Sequence, residues 1–346
     1  MDFVLNIILF LVGLTLIVKG ADWLTDGAAS IAYRLHIPTL VIGLTIVAVG
    51  TSAPEFVVSM MGALRHDPDI AIGNVVGSNI FNILAIIGCT ALIMPLSMTR
   101  SNVMRDLPIM VLSSVALFVM LIDKVLDSEA TSNSLSRGDG LVLLCLFLMF
   151  MYYTMYLARK GRKQSANTDT GGEYADKMPA WLPSAIRRYP FVVYVAMVLV
   201  GLASLVLGGN WMVDGASGIA RALGVSDAII ALTIVSIGTS APELATSIMA
   251  ARKGDNAMAV GNIVGSVVFN TLLILGASAT VYPLPMVGIT MIDLYILLGA
   301  SLMFWAFGKF GRKRYVITRG EGLLMVCLQV AYYVYLVLSE IHNSNV

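Results

Sequence analysis

Gly50-Thr-Ser-Ala-Pro-Glu55 and Gly238-Thr-Ser-Ala-Pro-Glu243 are the same six residues, 188 positions apart. The register holds outward from them: Asn74 falls on Asn262, Asn82 on Asn270 and Pro95 on Pro283. Compared without gaps, Leu40–Pro95 and Ala228–Pro283 share 28 of 56 residues. Upstream, Trp23 meets Trp211, Asp26 meets Asp214 and Gly27 meets Gly215. The chain is therefore a duplication, and its fold is the fold of one half used twice.

The medium is set by composition. Of 346 residues, 58% are hydrophobic and 12% charged, about half the charge of a soluble domain. The apolar residues fall in blocks long enough to cross a bilayer, which takes about 20 residues in a helix. Charged and polar punctuation delimits ten spans: 3–33, 38–64, 69–94, 105–123, 139–159, 188–221, 228–251, 256–281, 291–308 and 319–341. Five spans per half is an odd number, so the second copy must lie upside down relative to the first. The expected fold is an all-α membrane protein of ten transmembrane helices in two inverted five-helix repeats, with discontinuous helices at the repeated hexapeptides. The expected units are a first repeat over 1–160, a linker over 161–187 and a second repeat over 188–346. The linker contains Gln164-Ser-Ala-Asn-Thr-Asp-Thr-Gly-Gly, which is polar, aperiodic and too short for a domain.

Charge and cysteine usage exclude other classes. A net charge of +1 argues against a nucleic-acid partner. Cys89, Cys145 and Cys327 stand alone in apolar segments, with no paired framework. His36, His66 and His342 sit at span ends and read as interfacial side chains. No cofactor and no protein partner is expected, and the surroundings are the lipid bilayer. There is no HExxH, and Asp139 in Gly138-Asp139-Gly140 has no evident second catalytic Asp, so the chain is not read as an enzyme. Basic residues set the orientation. The side holding both termini would carry four (Arg65, Lys124, Arg137 and Arg221) against 17 on the other. The linker is thus expected in the cytoplasm, with both termini outside.

Glu55 and Glu243 are the acidic residues that lie deep within apolar spans. A carboxylate at the bilayer centre costs about 2.5–3.5 kcal/mol even on the lenient insertion scale. Lys19 is the one basic residue within a span that could offset them, and one lysine cannot neutralise both. Pro54 and Pro242 lack an N–H, which breaks the helix and releases carbonyls around Ala48–Gly50 and Ser236–Gly238. Thr51, Ser52, Thr239 and Ser240 add hydroxyls. Carboxylate, carbonyl and hydroxyl oxygens suit hard cations such as Ca²⁺, and unwound carbonyls coordinate Na⁺ in other carriers. The following span carries Asn74, Ser78 and Asn82 at i, i+4 and i+8, repeated as Asn262, Ser266 and Asn270, on one helix face. Asn74 and Asn262 read as interhelical hydrogen-bond residues. Ser78, Asn82, Ser266 and Asn270, deeper in the span, read as ligands.

The doubled GTSAPE segments, each followed by GN-x-VGS, resemble the two alpha-repeats of the cation/calcium exchanger superfamily, most nearly its ten-helix prokaryotic sodium/calcium antiporters. The resemblance covers essentially the whole chain. It implies a multi-pass plasma membrane protein, of a bacterial inner membrane, that works by alternating access. The transported ions would be Ca²⁺ one way and several Na⁺ the other. It implies side-chain ligands from Thr51, Ser52, Glu55, Ser78, Asn82, Thr239, Ser240, Glu243, Ser266 and Asn270, with the backbone carbonyls of Ala48 and Ser236. Many relatives carry Asp where this chain has Asn270, and the animal members have a calcium-sensing cytoplasmic domain for which the linker has no room. Ca²⁺/H⁺ exchange is the alternative within the same class, since buried glutamates also carry protons. A cation channel built on the same oxygens is the alternative from another class.

Overall fold

The structure, a computed structural model, describes residues 2–126, 132–167, 189–223, 236–286 and 289–344. The long helices follow the apolar blocks: α1 is Asp2–Arg34, α2 Thr39–Thr51, α3 Ala53–Leu64, α4 Pro68–Ile93 and α5 Asn102–Met120. After these come α6 (Arg137–Asn167), α7 (Phe191–Ala222), the single turn α8 (Ser236–Thr239) and α9 (Ala241–Arg252). The chain closes with α10 (Asn256–Val281), α11 (Met291–Phe310) and α12 (Arg319–Ser344). Among the described residues eight helices are long and apolar enough to cross a membrane. A ninth is the pair α2 and α3, bent by 51° at Ser52. Pro54 explains the bend, since it supplies no N–H to the carbonyl four residues earlier. The first part of the expected span 228–251 lies outside the described residues. Helix α6 runs to Asn167, past the expected boundary at 160.

Burial sorts the helices into a core and a shell. Within their most apolar windows α10 is 94% buried and α4 78%, whereas α1 and α6 are 17% buried. The polar stripe explains the sorting, because Asn, Ser and Gly faces are the ones a helix in lipid must turn inward. Lys19 is exposed on the outer face of α1 and meets neither glutamate.

Glycine decides how the helices approach. A Cβ on Gly13 would sit 2.6 Å from the Gly208 carbonyl, and one on Gly208 would sit 2.7 Å from that of Gly13. Gly20 and Gly201 oppose each other in the same way at 2.8 Å, so α1 and α7 touch backbone to backbone, antiparallel. Gly13 and Gly20 map by 188 onto Gly201 and Gly208, so the seam repeats itself. It has the self-complementary form of a two-fold interface. The outermost glycines extend it, Gly27 against the Tyr194 carbonyl and Gly215 against that of Asn6.

The halves are interlocked, not side by side. Gly88 of α4 packs on Gly322 of α12, and Gly276 of α10 packs on Gly140 of α6. Two short ladders also cross between halves, Leu96–Ser97 with Val316–Ile317 and Ser134–Leu135 with Leu284–Pro285. Asp67 and Asp255, again 188 apart, cap α4 and α10 by accepting from Ile70 N and Met258 N.

Candidate cation site

Ser52-Ala-Pro-Glu55 and Ser240-Ala-Pro-Glu243 have the Ser-x-x-Glu spacing of a helix capping box. Neither serine caps its own helix. Ser52 Oγ donates instead to Glu243 Oε1 at 2.9 Å, and Ser240 Oγ donates to Glu55 Oε1 at 3.3 Å. Each half thus binds the carboxylate of the other. Both glutamates lie in the first turn of a helix, where unpaired N–H groups and the helix dipole favour negative charge. Both are fully buried.

These bonds leave capacity unused. Glu55 Oε2, Glu243 Oε2 and the side-chain oxygen and nitrogen of Asn82 and of Asn270 are buried with no hydrogen-bond partner. Buried polar groups are ordinarily satisfied, and a carboxylate with an open oxygen in a protein interior wants a cation. Asn82 opens a π-helical turn over Asn82–Ile86, and Asn270 lies in another over Phe269–Leu275. Such turns widen a helix locally and recur at functional sites. The donor set is two carboxylates, two amides and surrounding hydroxyls, which fits a hard cation held as cargo.

Of the residues expected as ligands, direct hydrogen bonds connect Ser52, Glu55, Ser240 and Glu243. Thr51 is buried and joins them through α10, its Oγ1 lying 3.3 Å from Asn262 Oδ1. Ser266 is fully buried in α10, its Oγ without a hydrogen-bond partner. Ser78, Asn82 and Asn270 are buried in α4 and α10, and among the described residues none of them hydrogen-bonds to either glutamate. Thr239 is only partly buried. The side chain of Ser236 lies outside the described residues. The Ala48 carbonyl, expected to be released by Pro54, accepts from Ser52 N at 2.9 Å. The Thr51 hydroxyl reaches the same carbonyl at 3.4 Å, so that oxygen has two donors.

The bonding role expected of Asn74 and Asn262 is met. Asn74 Nδ2 donates to the Glu55 carbonyl at 3.1 Å and to Ser59 Oγ at 2.9 Å. Asn262 Nδ2 repeats this on the Glu243 carbonyl at 3.4 Å and Ser247 Oγ at 3.0 Å. Each asparagine thereby pins the short helix that carries the glutamate. Ser59 and Ser247 escaped the motif reading, although they too are identical across the repeat. Asn79 donates to Thr271 Oγ1 at 2.9 Å, a link between halves that breaks the repeat, since the counterparts are Val267 and Ile83. Asn262→Ala should cost about 1–3 kcal/mol, because it strands buried partners. It should cost more than Asn74→Ala, since Asn262 also meets Thr51. Thermal unfolding of the two purified variants checks the order.

The sequence profile of the sodium/calcium exchanger protein family matches residues 5–156 and 193–339. The sodium/calcium exchanger MaX1 of Methanosarcina acetivorans is 30% identical, over 96% of this chain and 98% of its own. The inner membrane protein YrbG of Escherichia coli is 37% identical over 80% of this chain and 79% of its own. Among solved structures, the sodium-calcium exchanger NCX_Mj, soaked with Na⁺ and Ca²⁺, superposes with a TM-score of 0.76. It is 30% identical, covering 97% of this chain and 98% of that one. The chain is a multi-pass membrane protein that belongs to the sodium/calcium exchanger family, a family of cation/Ca²⁺ antiporters.

Proposed function

We propose that the protein exchanges Ca²⁺ for Na⁺ by alternating access, with ten helices in two inverted repeats over 1–160 and 188–346. The observation that carries this reading is the reciprocal pair Ser52–Glu243 and Ser240–Glu55. One site is made half by each repeat, so a motion that exchanges the roles of the halves exposes the same ligands to either side. The antiparallel α1–α7 seam supports the inversion, because equivalent helices related by a two-fold axis in the membrane plane must run in opposite directions.

The ligands are Thr51, Ser52, Glu55, Ser78, Asn82, Thr239, Ser240, Glu243, Ser266 and Asn270, with the carbonyls of Ala48 and Ser236. Two carboxylates neutralise one Ca²⁺. Na⁺ replaces it on the same oxygens, drawn by its own gradient. Uptake of ⁴⁵Ca²⁺ into proteoliposomes should require an opposing Na⁺ gradient. Uptake indifferent to Na⁺ but driven by a pH gradient would assign proton exchange instead, and flux without a counter-ion would assign a channel.

The cytoplasmic linker and external termini follow from the basic asymmetry between the two sides. In a Cys-free background, Ser134→Cys and Ser344→Cys should react with an impermeant maleimide from outside. Ser165→Cys should react only after the membrane is opened. External reaction of Ser165→Cys would reverse the orientation.

A further inference from the structure

Where the repeat keeps residues able to make the same contact, a contact formed in one half and not in the other marks where the two halves stand in different states. Lys253, which ends α9, is such a place. Its Nζ reaches four oxygens of α1: Asp22 Oδ1 at 2.5 Å, Asp26 Oδ1 at 2.7 Å, Thr25 Oγ1 at 2.9 Å and the Asp22 carbonyl at 3.1 Å. Asp26 is 8% exposed and Lys253 14%, so the pair is largely sheltered.

Subtracting or adding 188 gives the matching residues, Arg65 for Lys253, Asp214 for Asp26 and Asn210 for Asp22. Arg65 ends α3 as Lys253 ends α9. Yet Arg65, Asp214 and Asn210 are all exposed, and no ion pair joins Arg65 to Asp214 among the described residues.

The seam between α1 and α7 is symmetric, as the opposed glycines require. The asymmetry therefore belongs to how this two-helix body is fastened to the core that carries the glutamates. We infer that Lys253 with Asp22 and Asp26 is a latch that fastens the α1–α7 pair to the core in one of two alternating arrangements, and that Arg65 with Asp214 is the latch of the other. This rests on the inverted-repeat antiporter reading. The counterpart latch has one carboxylate where the first has two, because Asn210 stands for Asp22. The arrangement fastened at Lys253 is accordingly the favoured one, and release of that latch is a step of transport that the ligands themselves do not control.

The test reads the unfastened side. In a Cys-free background reconstituted in nanodiscs, Arg65→Cys with Asp214→Cys reports their approach through a short bifunctional maleimide. A second pair, Ser97→Cys with Val316→Cys on the β ladder, reports general loosening. With Lys253 intact, the 65–214 pair should link slowly. Lys253→Ala should speed it roughly tenfold, the size of a typical coupling between states, and leave the 97–316 pair unchanged. The charge swap Lys253→Asp with Asp26→Lys should slow it again. An unchanged 65–214 rate in Lys253→Ala, or an equal change at both pairs, would overturn the latch. Either result would leave Na⁺-driven uptake in the unmodified protein, and with it the antiporter reading, untouched.

Discussion

Glu55→Gln and Glu243→Gln are each expected to lower Ca²⁺ transport on the order of 100-fold or more, since the charge count of the ligands sets affinity for this ion. Each variant halves the formal charge available to the cation. Both should still fold. Glutamine keeps an oxygen to accept from Ser52 or Ser240, and removing a buried charge that has no counter-charge among the described residues removes its desolvation cost. The check is initial-rate ⁴⁵Ca²⁺ uptake, alongside size-exclusion profile and thermal unfolding. Near-normal transport by both variants would remove the glutamates from the site.

The second large effect belongs to the glycine seam. Gly208→Leu should prevent stable assembly of α1 with α7, because even a Cβ there meets the backbone of Gly13 and Ile17 at under 3.0 Å. Overpacking of this kind costs about 1–3 kcal/mol in a core that can adjust, and backbone adjusts less than a side chain. Gly201→Leu should behave alike, as its two-fold counterpart contact is Gly20. Gly299→Ala is the control: its Cβ meets nothing within 4 Å, and alanine is the better helix former by about 1 kcal/mol. Loss of monodisperse protein in the first two variants, with Gly299→Ala at or above the parent unfolding temperature, is the expected pattern. Full stability of Gly208→Leu would contradict the seam.

Most helix positions were legible because the bilayer imposes a length and an apolarity that few other environments impose. The span read as 256–281 is Asn256–Val281, and 291–308 is Met291–Phe310. The bend at Ser52 was legible too, since proline acts locally. What escaped the reading depends on partners distant in sequence. Gly13, Gly20, Gly201 and Gly208 are visible as glycines, but which faces which follows only from antiparallel docking. Ser52 and Ser240 read naturally as hydroxyls beside their own glutamates. Their bonds to the opposite glutamates are a tertiary fact, and they outweigh the local capping the spacing invites. The carbonyl of Ala48 shows the converse, because proline releases the acceptor at its own i−4 position, while Ser52 still donates to Ala48. The Lys253 cluster lay hidden for a different reason. Asp26 and Asp214 are identical across the repeat, and identity in sequence does not disclose that Asp26 pairs with Lys253 while Asp214 does not pair with Arg65.

The central claim is that one cation site is built by both halves around two glutamates and shared by Ca²⁺ and Na⁺. Equilibrium binding of ⁴⁵Ca²⁺ to the purified protein in detergent, titrated with Na⁺, tests it most directly. The expected result is one Ca²⁺ per chain, displaced competitively by Na⁺ and lost in either Glu55→Gln or Glu243→Gln. Binding that persists in the double variant, or Ca²⁺ retained while Na⁺ saturates, would contradict it.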